Sequence, residues 1–331
     1  MIVAGIDEAG YGPLLGPLVV SAAAFSVPGA LPEELEGVPC LWRELRGAVA
    51  KKNAGSKGRL LIADSKVVHN LAEGNRLLER GVLGFLRARD GGILAGTLQD
   101  LLEGLGCTDH ELEGRSGWYD TSAVKLPWLA DGADLAIAGN VLAGAMGRAS
   151  VRMEALRTRV FPEHVFNRMV SGTNNKASAL VSITLSHLDY LQRNFADMQK
   201  WGGLLVVIDK QGGRDHYTNL LLRSFPEAML RVMKESAEES VYVMTEGSVR
   251  RTVVWFREKS ESVSMATALA SMLCKYVREL CMHAFNTWWG GRIEGLRPTA
   301  GYYQDGLRWL ADVDAHLPRL GVTREMLCRI R

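Results

Sequence analysis

The sequence predicts an α/β fold, and three stretches carry that reading. Met1 to Ile6 form a mostly apolar run that closes on Asp7 and Glu8. Gly203–Ile208 (GLLVVI) is a continuous apolar run that closes on Asp209. Both have the length and bounds of buried strands. Ser262–Trp288 is the longest helical pattern in the chain, and Ala266, Ala268, Ala270 and Ser271 make it thin enough to pack closely on a sheet.

The remaining elements follow in order. After the first strand come Gly10, Gly12, Pro13, Gly16 and Pro17, which cannot extend a regular element and must shape a loop. Leu18–Phe25 then reads as a second strand, forming a hairpin with the first. Residues 28–59 are irregular and end in KKNAGSKGR. Leu60–Lys66 leads to a helix around 72–88, with Leu77, Leu78, Val82 and Phe85 on one face. Gly92–Leu98 is expected to be a short strand. No chemistry is assigned to 100–170, which holds GWYD, LPW and the small-residue run AIAGNVLAGAMG. Lys176–Phe195 reads as a helix capped by Asn174 or Asn175. A helix is expected around Tyr217–Ser224, and residues 230–257 alternate as a β-ribbon. From Thr299 the tail reads as a turn and a final helix. No internal repeat, low-complexity segment or composition break divides the chain.

Hydrophobic residues make up 47% of the chain and charged residues 23%, which excludes a disordered protein. The net charge of +2 means that any nucleic-acid contact must come from local patches rather than a global field. Five cysteines with no CxxC pair argue against a zinc site or a disulfide framework and fit a reducing compartment. Asp7 and Glu8 arrive too early for a signal peptide, and Leu14–Val27 is too short to span a bilayer, so a cytoplasmic protein is expected.

Two carboxylates at a buried strand end repel each other and lose hydration. A cation between them relieves both costs, and Mg²⁺ or Mn²⁺ suit oxygen ligands. Two solvated acids before a turn would look the same from Asp7 and Glu8 alone. The glycine-rich loop favours a site, because it lets a polyanion approach the backbone. Asp209 closes a second strand, with Gly212 and Gly213 soon after, and strand ends in open α/β sheets are where sites gather. A strand-ending aspartate that caps the next element is the plainer alternative. Glu261 lies just before the long helix, where the helix dipole alone would favour an acid.

Five segments, in this order, resemble the type 2 ribonuclease H (ribonuclease HII) family. GIDEAGYGPLLGPLVVSAA at Gly5–Ala23 is similar to that family's DEAG or DEVG core and GRGP loop. ADSK at Ala63–Lys66 resembles its DSKK segment, and LLVVIDKQGG at Leu204–Gly213 its strand ending in IDG. SESVSMATALASMLCKYVRE at Ser260–Glu279 and TAGYYQDG at Thr299–Gly306 resemble its last two motifs. The helix led by Asn175 fits more loosely. The resemblance covers about half the chain. It implies a ribonuclease H-like fold over 1–331, a central mixed β-sheet flanked by helices. Inserted segments fall near 28–58, 90–165 and 214–255, with a helical tail from about 299.

Residue by residue, the resemblance implies a catalytic and metal-binding set of Asp7, Glu8, Asp209 and Glu261, holding Mg²⁺ or Mn²⁺ for two-metal phosphodiester hydrolysis. The fourth acid is an aspartate in the family, and Glu258 is the alternative if the register differs. The implied substrate is an RNA–DNA hybrid or duplex DNA containing ribonucleotides, cut to leave a 5′-phosphate. Gly10, Tyr11, Gly12, Lys66 and Tyr302 are its implied contacts, with Tyr303 as the alternative tail tyrosine. Tyr11 stands where the family loop has arginine, which bears on specificity for a single ribonucleotide. Lys275 matches a family lysine. Lys51, Lys52, Lys57 and Arg59, and likewise Arg250, Arg251, Arg257 and Lys259, are either solvated charges or duplex contacts. Trp288 and Trp289 read as core or interface, and His69, His187 and His216 are not expected to bind metal. The rival readings are a binding protein with a disused site and another nuclease on the same fold. A kinase lacks its phosphate loop here.

Overall fold

The computed structural model describes residues 1–52, 58–107, 117–173, 175–211 and 213–330. Lys57, Asn174 and Gly212, each considered above, lie outside the described residues. The described strands are β1 (Ile2–Ala9), β2 (Leu18–Ser26), β3 (Val49–Ala50), β4 (Leu60–Leu61), β5 (Arg152–Phe161), β6 (Leu204–Asp209), β7 (Met229–Glu235), β8 (Glu239–Glu246) and β9 (Arg250–Arg257). The helices that matter below are α1 (Ser65–His69), α2 (Gly74–Arg89), α3 (Gly132–Ala149), α4 (Glu163–Thr173), α5 (Lys176–Phe195), α6 (Thr218–Ser224), α7 (Met265–Gly290) and α8 (Tyr303–Val313).

Seven strands form one mixed sheet in the order β5-β2-β1-β6-β9-β8-β7, with β3 and β4 paired apart from it. The β1–β2 hairpin is antiparallel, whereas β1, β6 and β9 run parallel. Parallel strands buried on both faces should be continuously apolar, and β1 and β6 are. Their alternate residues feed two cores. Val3, Leu205 and Val207 pack toward α2, α3 and α7. Ile2, Ala4, Ile6, Val206 and Ile208 pack toward α4, α5 and α6 on the other face. The fold is therefore α/β, a mixed sheet with helices on both faces.

Helix α7 is the main support. Ser264 caps it by accepting from the Thr267 amide at 3.2 Å. Its buried side chains include Leu269, Met272, Leu273 and Phe285, each worth about 1.5–3 kcal/mol when fully enclosed. Its first turn lies against β1 at Gly5, where a Cβ would stand 2.1 Å from the Thr267 nitrogen. The Thr267 hydroxyl also donates to the Val207 carbonyl at 3.1 Å. Gly5 is thus required by the closeness of helix and strand rather than by its own torsion angles.

One expectation needs correction. Gly92–Leu98 is not a strand. Thr97 instead caps a short helix, Leu98–Gly104, by accepting from the Asp100 amide, and makes only an isolated bridge to Lys125. The run AIAGNVLAGAMG, left without a role, is the body of α3, capped by Asp131. Segment 90–165 also supplies β5, which extends the central sheet beyond β2. Segment 214–255 supplies α6, β7, β8 and most of β9. No described helix is long and apolar enough to cross a membrane.

The Gly5–Thr267 contact yields a test. Gly5→Ala must push α7 off β1, and overpacking of this kind should cost about 3 kcal/mol. Urea denaturation of the two proteins checks it, and an unchanged midpoint would contradict the close docking.

Candidate active site at the ends of β1 and β6

Because β1 and β6 run parallel in register, with Ile6 beside Ile208, their carboxyl ends carry Asp7, Glu8 and Asp209 to one edge of the sheet. Parallel β9 ends at the same edge, with Arg257 beside Asp209, and the chain then turns into Glu261. Each acid is tethered by its own partners. Asp7 is buried, accepts from the Glu8 amide at 2.7 Å and is hydrogen-bonded by Ser271 of α7. Gln211 reaches Glu8 at 3.4 Å and Thr184 of α5 at 2.7 Å. Asp209 accepts from the Ser260 amide and hydroxyl at 3.1 and 3.2 Å.

The electrostatics of these groups are coupled. Burial, then the charges of Glu8 and Asp209, push Asp7 well above the usual carboxylate range. Burial and Asp209 raise Glu8 to about 7, against the pull of Gln211 and Lys66. Burial raises Asp209 too, although Ser260 and Lys66 oppose it. Glu261 is raised to about 7 by burial, Asp209 and Asp64. Glu261 is therefore the acid within electrostatic reach of Asp209, whereas Glu258 is exposed and bonds through its amide to Glu238.

Asp64 is a member that sequence reasoning missed. It caps α1 by accepting from the Lys66 amide at 2.8 Å, and its carboxyl hydrogen-bonds that of Glu261. The ADSK segment contained the signal, since an aspartate before a helix start is a cap. Its approach to Glu261, almost two hundred positions away, was not legible.

Among the described residues, no three His, Cys, Asp or Glu side chains stand close enough together to form a ready-made metal shell. The expected convergence is thus electrostatic reach rather than a closed cage. The tethers explain it, because Asp209 is drawn to Ser260 and Glu261 to Asp64. The donor set itself suits a hard divalent cation. It is all oxygen, and its mutual repulsion would be relieved by a positive charge.

The glycine loop lies beside the acids and is fixed from behind. Gly10 and Gly16 have φ of 89° and 84°, which other residues rarely adopt. Arg278, buried on α7, donates to the carbonyls of Pro17 (2.7 Å), Leu15 (3.0 Å) and Ala300 (3.1 Å). Buried Glu163 accepts from the Gly16 amide at 2.8 Å, and the amides of Leu14 and Leu15 donate to the Gly301 carbonyl. The front is open. Gly12 is exposed, and nothing lies within 4 Å of where its Cβ would be. Tyr11 is half-buried, and burial, followed by the nearby Glu8 charge, raises its hydroxyl. Lys176 of α5 sits over its ring, 4.7 Å from the centroid.

Lys66 is exposed, and its charge reaches both Glu8 and Asp209. Tyr302 is 51% exposed, 5.8 Å from the Lys275 ammonium. Lys275 is itself buried and paired with Glu279 at 2.5 Å, one turn along α7 from Ser271. The basic loop reaches the site through Lys51, which donates to the Ser262 carbonyl. The β9 cations behave differently. Arg250 and Arg251 lie at the amino end of the strand, away from Asp209, while Arg250 pairs with Glu246 and Arg257 with Glu239. Trp288 and Trp289 pack with Trp118 and Trp309 in an aromatic core.

No family model matches the chain, and no curated protein matches it. Solved structures do. One is the PCNA:RNase HII complex from Archaeoglobus fulgidus, at 15% identity and a TM-score of 0.42, covering 100% of this chain and 95% of that one. A second is ribonuclease H2 from Pyrococcus horikoshii OT3, at 13% identity and a TM-score of 0.42, covering 99% and 92%. A third is Bst-RNase HIII in complex with Mn²⁺, at 15% identity and a TM-score of 0.42, covering 99% of this chain and 66% of that one. The chain is similar to ribonucleases HII and HIII, and the sequence motifs above resemble the first of these.

The raised carboxyls make stability depend on pH. Glu8 and Glu261 rise from an ordinary 4.5 to about 7 in the folded chain. Between those values the unfolded chain has lost protons that the folded chain keeps, so stability falls as pH rises. Without divalent ions, the melting temperature should decline from about pH 4.5 to about pH 7. Added Mg²⁺ or Mn²⁺ should raise it more at about pH 8 than at about pH 5.5, because the cation competes with those protons. Calorimetry at both values checks it; an ion effect independent of pH would contradict it.

Proposed function

We propose that this chain is a metal-dependent endoribonuclease that hydrolyses the RNA strand of RNA–DNA hybrids and leaves 5′-phosphomonoesters. The observation that carries the reading is the gathering of Asp7, Glu8, Asp209 and Glu261 at one sheet edge, each pushed up by burial or by its neighbours. The motif order that resembles ribonuclease HII agrees with it. Plain ion pairing does not account for this set, since acids within electrostatic reach of one another cost stability unless a function needs them.

These four acids would hold Mg²⁺ or Mn²⁺, which supplies an activated water and stabilises the departing oxygen. The chain's own residues do the rest. Ser271, Gln211 and Ser260 orient Asp7, Glu8 and Asp209. The open backbone at Gly10 to Gly12 meets the substrate strand, where a 2′-hydroxyl distinguishes RNA from DNA. Lys66, already within reach of two of the acids, pairs a backbone phosphate. Tyr302 offers an exposed ring to a sugar or base. The five cysteines are all free, which suits a reducing, cytoplasmic setting.

Asp7→Asn should lower turnover on a hybrid by roughly 10²–10³-fold, the scale seen when one preorganised contact to the transition state is removed. Hybrid affinity should persist, because it comes mainly from phosphate contacts. Single-turnover cleavage and fluorescence anisotropy separate the two. Retained turnover would place the active site elsewhere.

A second experiment concerns specificity. With Tyr11 in the loop, cleavage of hybrids with several consecutive ribonucleotides should exceed incision at one embedded ribonucleotide. Tyr11→Arg should shift the ratio toward the single-ribonucleotide duplex. Mapping cuts on both substrates, with plain duplex DNA and single-stranded RNA beside them, tests this at one fixed salt concentration. A wild-type preference for the single ribonucleotide would refute this role of Tyr11.

A further inference from the structure

Tyr11 lies between the acid cluster and a cation from the opposite face of the sheet. Its hydroxyl feels the charge of Glu8, and its ring carries the Lys176 ammonium at 4.7 Å. The same ammonium is 5.8 Å from the Phe166 ring, so two aromatic faces, one from the glycine loop and one from α4, border it. Lys176 is the first residue of α5, and that first turn contains no acid. A lysine there adds positive charge to the end of a helix that is already positive, a placement that helix stability disfavours. Its side chain faces the glycine loop through the Tyr11 ring. Gly12 leaves the loop surface beside Tyr11 open, so a polyanionic strand can pass close to the backbone there. The Tyr11 ring thus brings this cation to the loop that follows Glu8.

We propose that Lys176, seated on the Tyr11 ring, is a substrate-binding residue that pairs a phosphate of the strand entering the acid cluster. This rests on the reading of the chain as a nuclease acting on RNA–DNA hybrids. The ring holds the ammonium in place, and the ammonium fixes one phosphate a short step from the acids. Tyr11 therefore positions a cation as well as lining the loop, and the two side chains act as one unit.

The test measures binding of a fluorescently labelled RNA–DNA hybrid at several salt concentrations, in an Asp7→Asn background so that cleavage does not interfere. One phosphate contact contributes about 0.9 to the slope of log affinity against log salt. Lys176→Gln should lower that slope by about one contact, with Lys176→Arg restoring it, while thermal melting stays unchanged. Tyr11→Leu should weaken binding, and combining it with Lys176→Gln should add little further loss, because the ring acts through the ammonium. In the cleavage-competent chain, Lys176→Gln should raise KM more than it lowers kcat. An unchanged slope and KM in Lys176→Gln, with a wild-type chain that binds and cuts the hybrid, would overturn this inference alone. Failure of the wild-type chain to bind or cut any hybrid would overturn the nuclease reading beneath it.

Discussion

Arg278 holds the candidate site together. Its guanidinium is almost fully buried and donates to three carbonyls, two in the glycine loop and one in the C-terminal tail. A planar, permanently charged fork suits this task, since it satisfies several acceptors from fixed directions. Removing it would leave two buried loop carbonyls, those of Leu15 and Pro17, without this donor. The same helix carries Ser271, which bonds Asp7, and Lys275, which stands near Tyr302. Loop, tail and first acid therefore take their positions from one rigid element, and that element is itself locked to β1 at Gly5. Gly301 completes the arrangement. Its φ of 79° lets the tail carbonyl accept from two loop amides without a Cβ in the way.

The acid edge shows the opposite energetics. Burial and like charges push Asp7, Glu8, Asp209 and Glu261 above their ordinary range, so their ionised forms destabilise the folded chain. The two apolar cores offset this, with β1 and β6 contributing to both. Such a set of acids costs stability when no counter-charge is present. The partial remedies are local. Ser260, Gln211 and the Glu8 amide supply hydrogen bonds, and Lys66 supplies a charge.

The site also sits where the two helical layers meet at the end of the sheet. From the face of α7 come Ser271 and the Arg278 contacts. From the face of α5 come Thr184, which accepts from Gln211, and Lys176 over Tyr11. Gln211 joins the two sides, since one amide group reaches both Glu8 and α5. A shift of either layer would therefore be felt at Glu8.

Much of this was legible along the chain because it depends on local pattern. Continuous apolar runs identified β1 and β6, and the acids that close them are adjacent in sequence to those runs. The 3.6-residue period identified α2, α5 and α7, and Asn175 was readable as a cap. Glycines and prolines marked the loop that Arg278 secures. Tertiary structure alone decided the rest. It set β5 at the edge of the central sheet, turned the expected strand at 92–98 into a capped helix start, and brought Asp64 to Glu261. It placed Lys176 on Tyr11 and Arg278 behind the loop. These pairs join residues far apart in the chain, and no local propensity encodes them. Their partners are chosen by how helices pack on a twisted sheet, so they become visible only once both cores have closed.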